Sequence, residues 1–202
     1  LIIISGRAAK NYDELSKIAP TISLDTDNKD FMESVYNRLD VIAQIFPEAK
    51  ENIDKEVETL KADIETLKTS AAAVEGETLF LLANGDSISV YGPQSRFGMI
   101  YDDFGFKPLS DVTYDDSTHG QQVGFEFIGE HNPQTIVVMD RVVATGQEGV
   151  EGKDLLNNDL VNGTDAAKNE RVYYVNPFVW YLETGGLNST KTMISEMTEL
   201  TK

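Results

Sequence analysis

Short apolar runs and amphipathic segments follow one another along the first part of the chain. Residues 1–5 form a continuous β-branched run closed by Gly6, which predicts a strand buried on both faces of a parallel sheet. In residues 30–46, apolar positions recur at spacings of three and four, which predicts an amphipathic helix ended by Pro47. Residues 48–73 keep this period and carry their many charges on the opposite, solvated face.

From residue 78 onward, strand-like and helical runs alternate. The pattern predicts strands over residues 78–83, 88–91, 135–139 and 172–175, and helices over residues 96–104, 125–130, 153–156, 165–168 and 190–200. A short helix over residues 11–18 and a strand over residues 21–24 are also expected. This order of elements is typical of an α/β fold.

Composition narrows the classes of function. The chain has 34 acidic and 17 basic residues, and its formal charge of -17 opposes an encounter with nucleic acid or an anionic lipid surface. It has no cysteine, which excludes disulfides, thiolate metal sites and a cysteine nucleophile. No run approaches the roughly 20 apolar residues of a membrane-spanning helix. A globular chain that binds neither DNA nor RNA is expected.

Arginines follow three of the apolar runs. Arg7 comes after LIIISG, Arg96 shortly after SISVYGPQS, and Arg141 after TIVVMD. Ligands of open α/β sheets bind outside the carboxyl ends of the strands, and guanidinium groups suit an anionic, oxygen-rich ligand. The alternative is that each arginine caps a loop or pairs with a nearby acid, the candidates being Asp102, Asp103 and Asp140.

Two further side chains could bind a ligand or a metal. His119 lies in the turn-rich segment TYDDSTHGQQ, where a loop imidazole could reach either, although a loop histidine commonly has no such role. Tyr181 follows an aromatic cluster beside a glycine turn, so its phenol faces a cleft or packs at the rim of the core. The catalytic motifs G-x-S-x-G, H-E-x-x-H and the Walker A loop are absent, which argues against an enzyme.

The motifs SGR, SRFG, THG, MDR and WYL, in this order, resemble those of class III periplasmic siderophore-binding proteins that serve ABC importers, of the ferric-catecholate (enterobactin and petrobactin) receptor type. The resemblance extends over essentially all 202 residues. It implies an α/β fold with two Rossmann-like lobes joined by a single long helix. Residues 1–29 would then be a remnant of the amino-terminal lobe, residues 30–46 the interlobe helix and residues 47–202 the carboxy-terminal lobe.

The resemblance also implies a function. A ferric catecholate siderophore would bind in the cleft between the lobes and pass to the permease of an ABC importer, with the protein in the periplasm or lipid-anchored on the outer face of the cytoplasmic membrane. Arg7, Arg96 and Arg141 would surround the catecholate oxygens. His119 and Tyr181 would bind iron(III) when the siderophore supplies only four donors, because this hard cation suits phenolate oxygen and two of its six positions stay open.

Further expectations follow from the same resemblance. The amino-terminal lobe is incomplete in this chain, so we expect a missing amino-terminal segment or a second copy to complete it. No intrinsic cofactor is expected, since the ferric siderophore is the transported ligand. The alternatives are the same fold binding haem, a hydroxamate siderophore or cobalamin, and an acidic α/β enzyme or adhesin.

Overall fold

The computed structural model describes residues 1–115 and 119–202 and places their strands in two sheets. The strands are β1 (Ile2–Ile4), β2 (Thr21–Ser23), β3 (Thr78–Asn84), β4 (Ser87–Tyr91), β5 (Gln121–Val123), β6 (Thr135–Asp140) and β7 (Val172–Tyr174). The helices are α1 (Tyr12–Leu15), α2 (Phe31–Ile45), α3 (Lys50–Ala73), α4 (Met99–Asp102), α5 (Phe125–His131), α6 (Arg141–Thr145), α7 (Gly152–Leu155), α8 (Asp159–Asn162), α9 (Asp165–Lys168), α10 (Pro177–Tyr181) and α11 (Leu187–Glu199). Short 3-10 helices cover Gly6–Asn11 and Pro47–Ala49.

The first sheet consists of β1 and β2, paired in parallel with Ile2 opposite Thr21. Ile4 is buried, whereas the side chain of Ile3 is 44% exposed. The predicted strand over residues 1–5 is therefore confirmed, but its predicted burial on both faces is wrong for the described residues. The physical reason is that successive side chains of β1 point to opposite faces, and the face that carries Ile3 is left open to solvent while the face that carries Ile4 is covered.

The second sheet has the strand order β5-β4-β3-β6-β7. Strands β3, β6 and β7 are parallel, and β3 and β6 are apolar runs buried on both faces. Strand β4 returns antiparallel to β3, because the two residues Gly85 and Asp86 that join them are long enough only for a hairpin. The α/β order is confirmed. At one side of the sheet, β3 and β4 form an antiparallel hairpin, and β5 pairs with β4 as the edge strand.

Alternate residues of β3 point into two cores on opposite faces of this sheet. Leu79 and Leu81 pack in the core beneath α5 and α8, and Phe80 and Leu82 pack in a larger core that includes residues of α2, α3, α10 and α11. Three residues of α2 are buried in the larger core, namely Phe31, Met32 and Val35. The helix predicted over residues 30–46 therefore forms and packs with the large sheet, and the domain boundaries stay a prediction. No described helix combines the length and the apolar character needed to cross a membrane.

The fully buried Trp180 fixes α10 against α11. Its ring stacks on Phe80 with 5.8 Å between centroids, and its indole Nε1 donates a hydrogen bond of 2.7 Å to Glu196 Oε2. The other oxygen of Glu196 accepts a hydrogen bond from the backbone N–H of Asn176, the N-cap residue of α10. One carboxylate thus holds the start and the middle of the helix that ends at Tyr181.

We expect Glu196→Ala to lower the free energy of unfolding by about 1–3 kcal/mol, because it leaves a buried indole N–H without an acceptor. Glu199→Ala removes the same type of side chain from the same helix, where Glu199 is exposed and pairs with Lys202, and should change stability by less than about 0.5 kcal/mol. Urea unfolding followed by circular dichroism measures both. Equal losses in the two variants would contradict the bridging role of Glu196.

Candidate functional site

A cavity of about 550 Å³ opens beside the carboxyl end of β3 and is lined by residues of the five-stranded sheet, of the loops and helices that follow its strands, and of the segment after β1. All five side chains singled out from the sequence line it: Arg7, Arg96, His119, Arg141 and Tyr181. Arg7 comes from the segment after β1, and the other four come from the larger part of the molecule. The fold therefore brings together residues that are up to 174 positions apart, from Arg7 to Tyr181 (181 − 7).

Arg141 reaches the cavity by the route expected from the sequence. It is the first residue of α6 and directly follows the buried strand β6. Asp140 caps this helix, since one carboxylate oxygen accepts from Val143 N at 3.1 Å and the other accepts from Gly152 N at 2.5 Å. Asp140 is thus engaged by backbone donors, and Arg141 is free to point into the cavity.

Arg96 reaches the cavity by a different route. Because β4 is antiparallel to β3, with Tyr91 opposite Phe80, its carboxyl end lies away from the carboxyl end of β3, and the strand-end argument is wrong for this arginine. The chain turns back after Tyr91, and the Arg96 guanidinium carbon lies 4.4 Å from the centroid of the Tyr181 ring. Its Nη2 also donates to the backbone oxygen of Tyr181 at 3.2 Å.

Tyr181 is held between two guanidinium groups. Its phenol oxygen accepts a hydrogen bond of 2.8 Å from Arg141 Nε, and Arg96 stacks on its ring. Burial raises the pKa of Tyr181, but the hydrogen bonding and positive charge of Arg141 and Arg96 outweigh burial and lower the pKa below its ordinary value. This environment favours the phenolate, the form in which tyrosine binds a hard metal ion.

The backbone of His119 is anchored by Tyr91. The Tyr91 hydroxyl donates a hydrogen bond of 2.8 Å to the His119 carbonyl oxygen. Gly120 follows with φ +73°, and a Cβ atom there would lie 2.7 Å from the Tyr91 ring. Glycine is therefore required by both conformation and space, which gives the glycine of the THG motif a physical role.

The three cavity arginines make no ion pair with a carboxylate anywhere in residues 1–115 and 119–202. Two of the acids considered as their partners accept backbone hydrogen bonds instead: Asp102 accepts from Gln94 N at 2.6 Å, and Asp140 accepts from Val143 N and Gly152 N. Arg141 instead bonds to neutral oxygens of Asn84, Gln147 and Tyr181. In a chain with twice as many acids as bases, the guanidinium charges in the cavity are left available to a ligand.

Sequence reasoning missed the other residues that line the cavity: Leu82, Asn84, Ser87, Ser89, Tyr91 and Gln122. Ser87, Ser89 and Tyr91 occupy alternate positions of β4, while Ile88 and Val90 point into the opposite core. This alternation in SISVY was the available signal for a strand with one polar face. Gln122 lies opposite Ser89 in β5, a strand whose QQV sequence carries no such pattern.

Two curated relatives are similar to nearly the whole chain. Over 197 residues the chain is 39% identical to the petrobactin-binding protein YclQ of Bacillus subtilis, a match that covers 98% of this chain and 61% of that protein. It is 30% identical to the ferric-anguibactin-binding protein FatB of Vibrio anguillarum, covering 98% of this chain and 62% of FatB. The chain thus spans about three fifths of the length of these curated relatives.

Solved structures show the same fold. The crystal structure of YclQ superposes with a TM-score of 0.94 at 38% identity, over 100% of this chain and 70% of that one. The catecholate-siderophore binding protein VctP of Vibrio cholerae superposes with a TM-score of 0.89 at 31% identity, over 98% of this chain and 71% of that one. Residues 1–177 also match the sequence pattern of the family described as periplasmic binding protein. The chain therefore belongs to the periplasmic binding protein family.

Proposed function

We propose that this chain binds a ferric catecholate siderophore in the cavity lined by Arg7, Arg96 and Arg141 and delivers it to the permease of an ABC importer for iron uptake. The observation that carries the proposal is the set of three guanidinium groups without a carboxylate partner among the described residues, gathered around one cavity. Catecholate oxygens bound to iron(III) carry negative charge, and arginine donors stabilise such oxygens by charge-assisted hydrogen bonds.

The printed names of the relatives support the ligand class. Petrobactin, anguibactin and a catecholate siderophore are named for proteins that match nearly the whole chain. Because the chain spans about three fifths of the curated relatives, the substrate and partners of the whole protein belong to the proposal. The protein would act as a binding protein without turnover, outside the cytoplasmic membrane and either free in the periplasm or lipid-anchored.

His119 and Tyr181 are proposed as iron ligands for siderophores that supply only four donors. Both side chains line the cavity, and the Tyr181 phenol has its pKa lowered by the neighbouring arginines. Iron(III) takes six donors and prefers hard oxygen ligands, so two protein side chains would complete a tetradentate complex. With a hexadentate siderophore the same pair would lie at the rim without binding iron.

The division into lobes is part of the same proposal. Residues 1–29 would belong to an amino-terminal lobe, residues 30–46 to the interlobe helix and residues 47–202 to the carboxy-terminal lobe. Completion of the smaller lobe by an amino-terminal segment or a second copy stays part of this proposal, and the face of β1 that carries Ile3, 44% exposed, is the surface on which either would pack.

Arg96→Gln and Arg141→Gln should each weaken binding of a ferric catecholate by about 1.5–3 kcal/mol, the range for hydrogen bonds to charged groups. Lysine at either position should restore part of this loss, because the charge returns but the planar fork does not. Isothermal titration with ferric enterobactin measures these affinities. Arg171→Gln is the control, since Arg171 bonds Thr135 Oγ1 and the Leu200 carbonyl outside the cavity and should leave the affinity unchanged. Unchanged binding in both cavity variants would remove these arginines from the site.

His119→Ala and Tyr181→Phe should weaken tetradentate ferric catecholates much more than hexadentate ones, because only the former leave iron positions for the protein. The comparison is a titration of each variant with a bis-catecholate and a tris-catecholate iron complex. His131→Ala is the matched control, since His131 pairs with Asp111 and does not line the cavity. Equal losses for both ligand types would indicate packing instead of coordination.

A further inference from the structure

Arg141 has five N–H donors, and three of them are bound within the protein. Its Nε donates to the Tyr181 hydroxyl at 2.8 Å. Both hydrogens of Nη1 are also used, one by Asn84 Oδ1 at 2.8 Å and one by Gln147 Oε1 at 2.9 Å. The two donors on Nη2 have no acceptor among residues 1–115 and 119–202, and they are the donors that remain for a ligand in the cavity.

The fold places both amide side chains beside Arg141. Asn84 is the last residue of β3, and the parallel register that sets Ala83 opposite Asp140 brings it next to Arg141. Gln147 approaches Arg141 from the loop that follows α6. It follows Gly146, the C-cap of α6, whose φ of +62° is left-handed and turns the chain back toward the start of that helix.

The chemistry of these two acceptors distinguishes them from the usual partners of arginine. A carboxylate at either position would accept the same hydrogen bond, but it would offset the charge of the guanidinium and compete with an anionic ligand. An amide oxygen orients Nη1 and leaves the positive charge in place. Asn84 lines the cavity itself, so a carboxylate at this position would also repel an anionic ligand directly.

We propose that Asn84 and Gln147 are positioning residues that hold the Arg141 guanidinium with neutral acceptors, so that its full charge and its Nη2 edge select an anionic ligand oxygen. This inference rests on the proposed function for the identity of the ligand, which is a ferric catecholate. The two amides would then be responsible for the preference of the cavity for anionic over neutral ligands. Neither amide has to contact the ligand for this effect.

Affinity for ferric enterobactin, measured on the full chain, tests the selection for charge. Asn84→Asp and Gln147→Glu keep the acceptor and add a negative charge, so each should lower the affinity about tenfold or more. Asn84→Ala and Gln147→Ala remove one hydrogen bond and keep the charge of the site, and each should lower it several-fold less than its acidic counterpart. Asn52→Asp adds the same charge on the exposed side of α3 and should leave binding unchanged. Acidic variants that bind as well as the wild type, or no worse than the alanine variants, would overturn the proposal.

The same titrations separate this inference from the proposed function. A wild-type chain that binds ferric enterobactin, with acidic variants that bind it equally well, would overturn the proposal on Asn84 and Gln147 alone. A wild-type chain that binds no ferric catecholate would instead overturn the proposed function.

Discussion

The hydrogen bond from Arg141 Nε to the Tyr181 phenol oxygen joins the two chain segments on which the cavity depends. One segment is the β6–α6 corner, which is fixed by the Asp140 cap. The other is α10, which is fixed by the hydrogen bond from Trp180 to Glu196 of α11. Arg96 then packs over the same phenol ring from the β4 side of the sheet. A single side chain thus gathers two guanidinium groups that would otherwise repel each other, and its electron-rich ring and oxygen make their proximity favourable.

Although the chain is acidic, its carboxylates are distributed so that none pairs with the cavity arginines among the described residues. The many carboxylates of α3 lie on its solvated face, where several pair with lysines three or four residues away, as Asp54 does with Lys50 and Glu58 with Lys61. Such exposed pairs contribute little to stability, but they keep acids engaged far from the cavity. Near the cavity, Asp140 and Asp102 accept backbone N–H groups. Beside Arg141, the neutral amides of Asn84 and Gln147 accept the hydrogen bonds that a carboxylate could otherwise accept.

Much of this architecture could be predicted from the sequence, because the spacing of apolar residues in a long element predicts whether it is a helix or a strand. The helices α2 and α3 and the strands β3 and β6 follow directly from spacings of three and four or from apolar runs. The strand-end rule predicts the position of Arg141 at the cavity, because Arg141 follows the buried parallel strand β6. The same rule does not explain the position of Arg96, because the two-residue hairpin loop reverses β4 and takes its carboxyl end away from that of β3. Asn84 and Gln147 could not have been found, because their role comes from the register between β3 and β6 and from a left-handed turn at Gly146.

The cavity is proposed to select an anionic, oxygen-rich iron complex, and this selection can be measured. The most direct measurement is a titration of the protein with a panel of ferric siderophores, followed by the fluorescence of Trp180, the one tryptophan in the chain and the neighbour of Tyr181. We expect ferric catecholates to quench this fluorescence at the lowest concentrations, because they absorb visible and near-ultraviolet light close to the indole. A hydroxamate complex that binds more tightly than every catecholate tested would show that the cavity does not select catecholates.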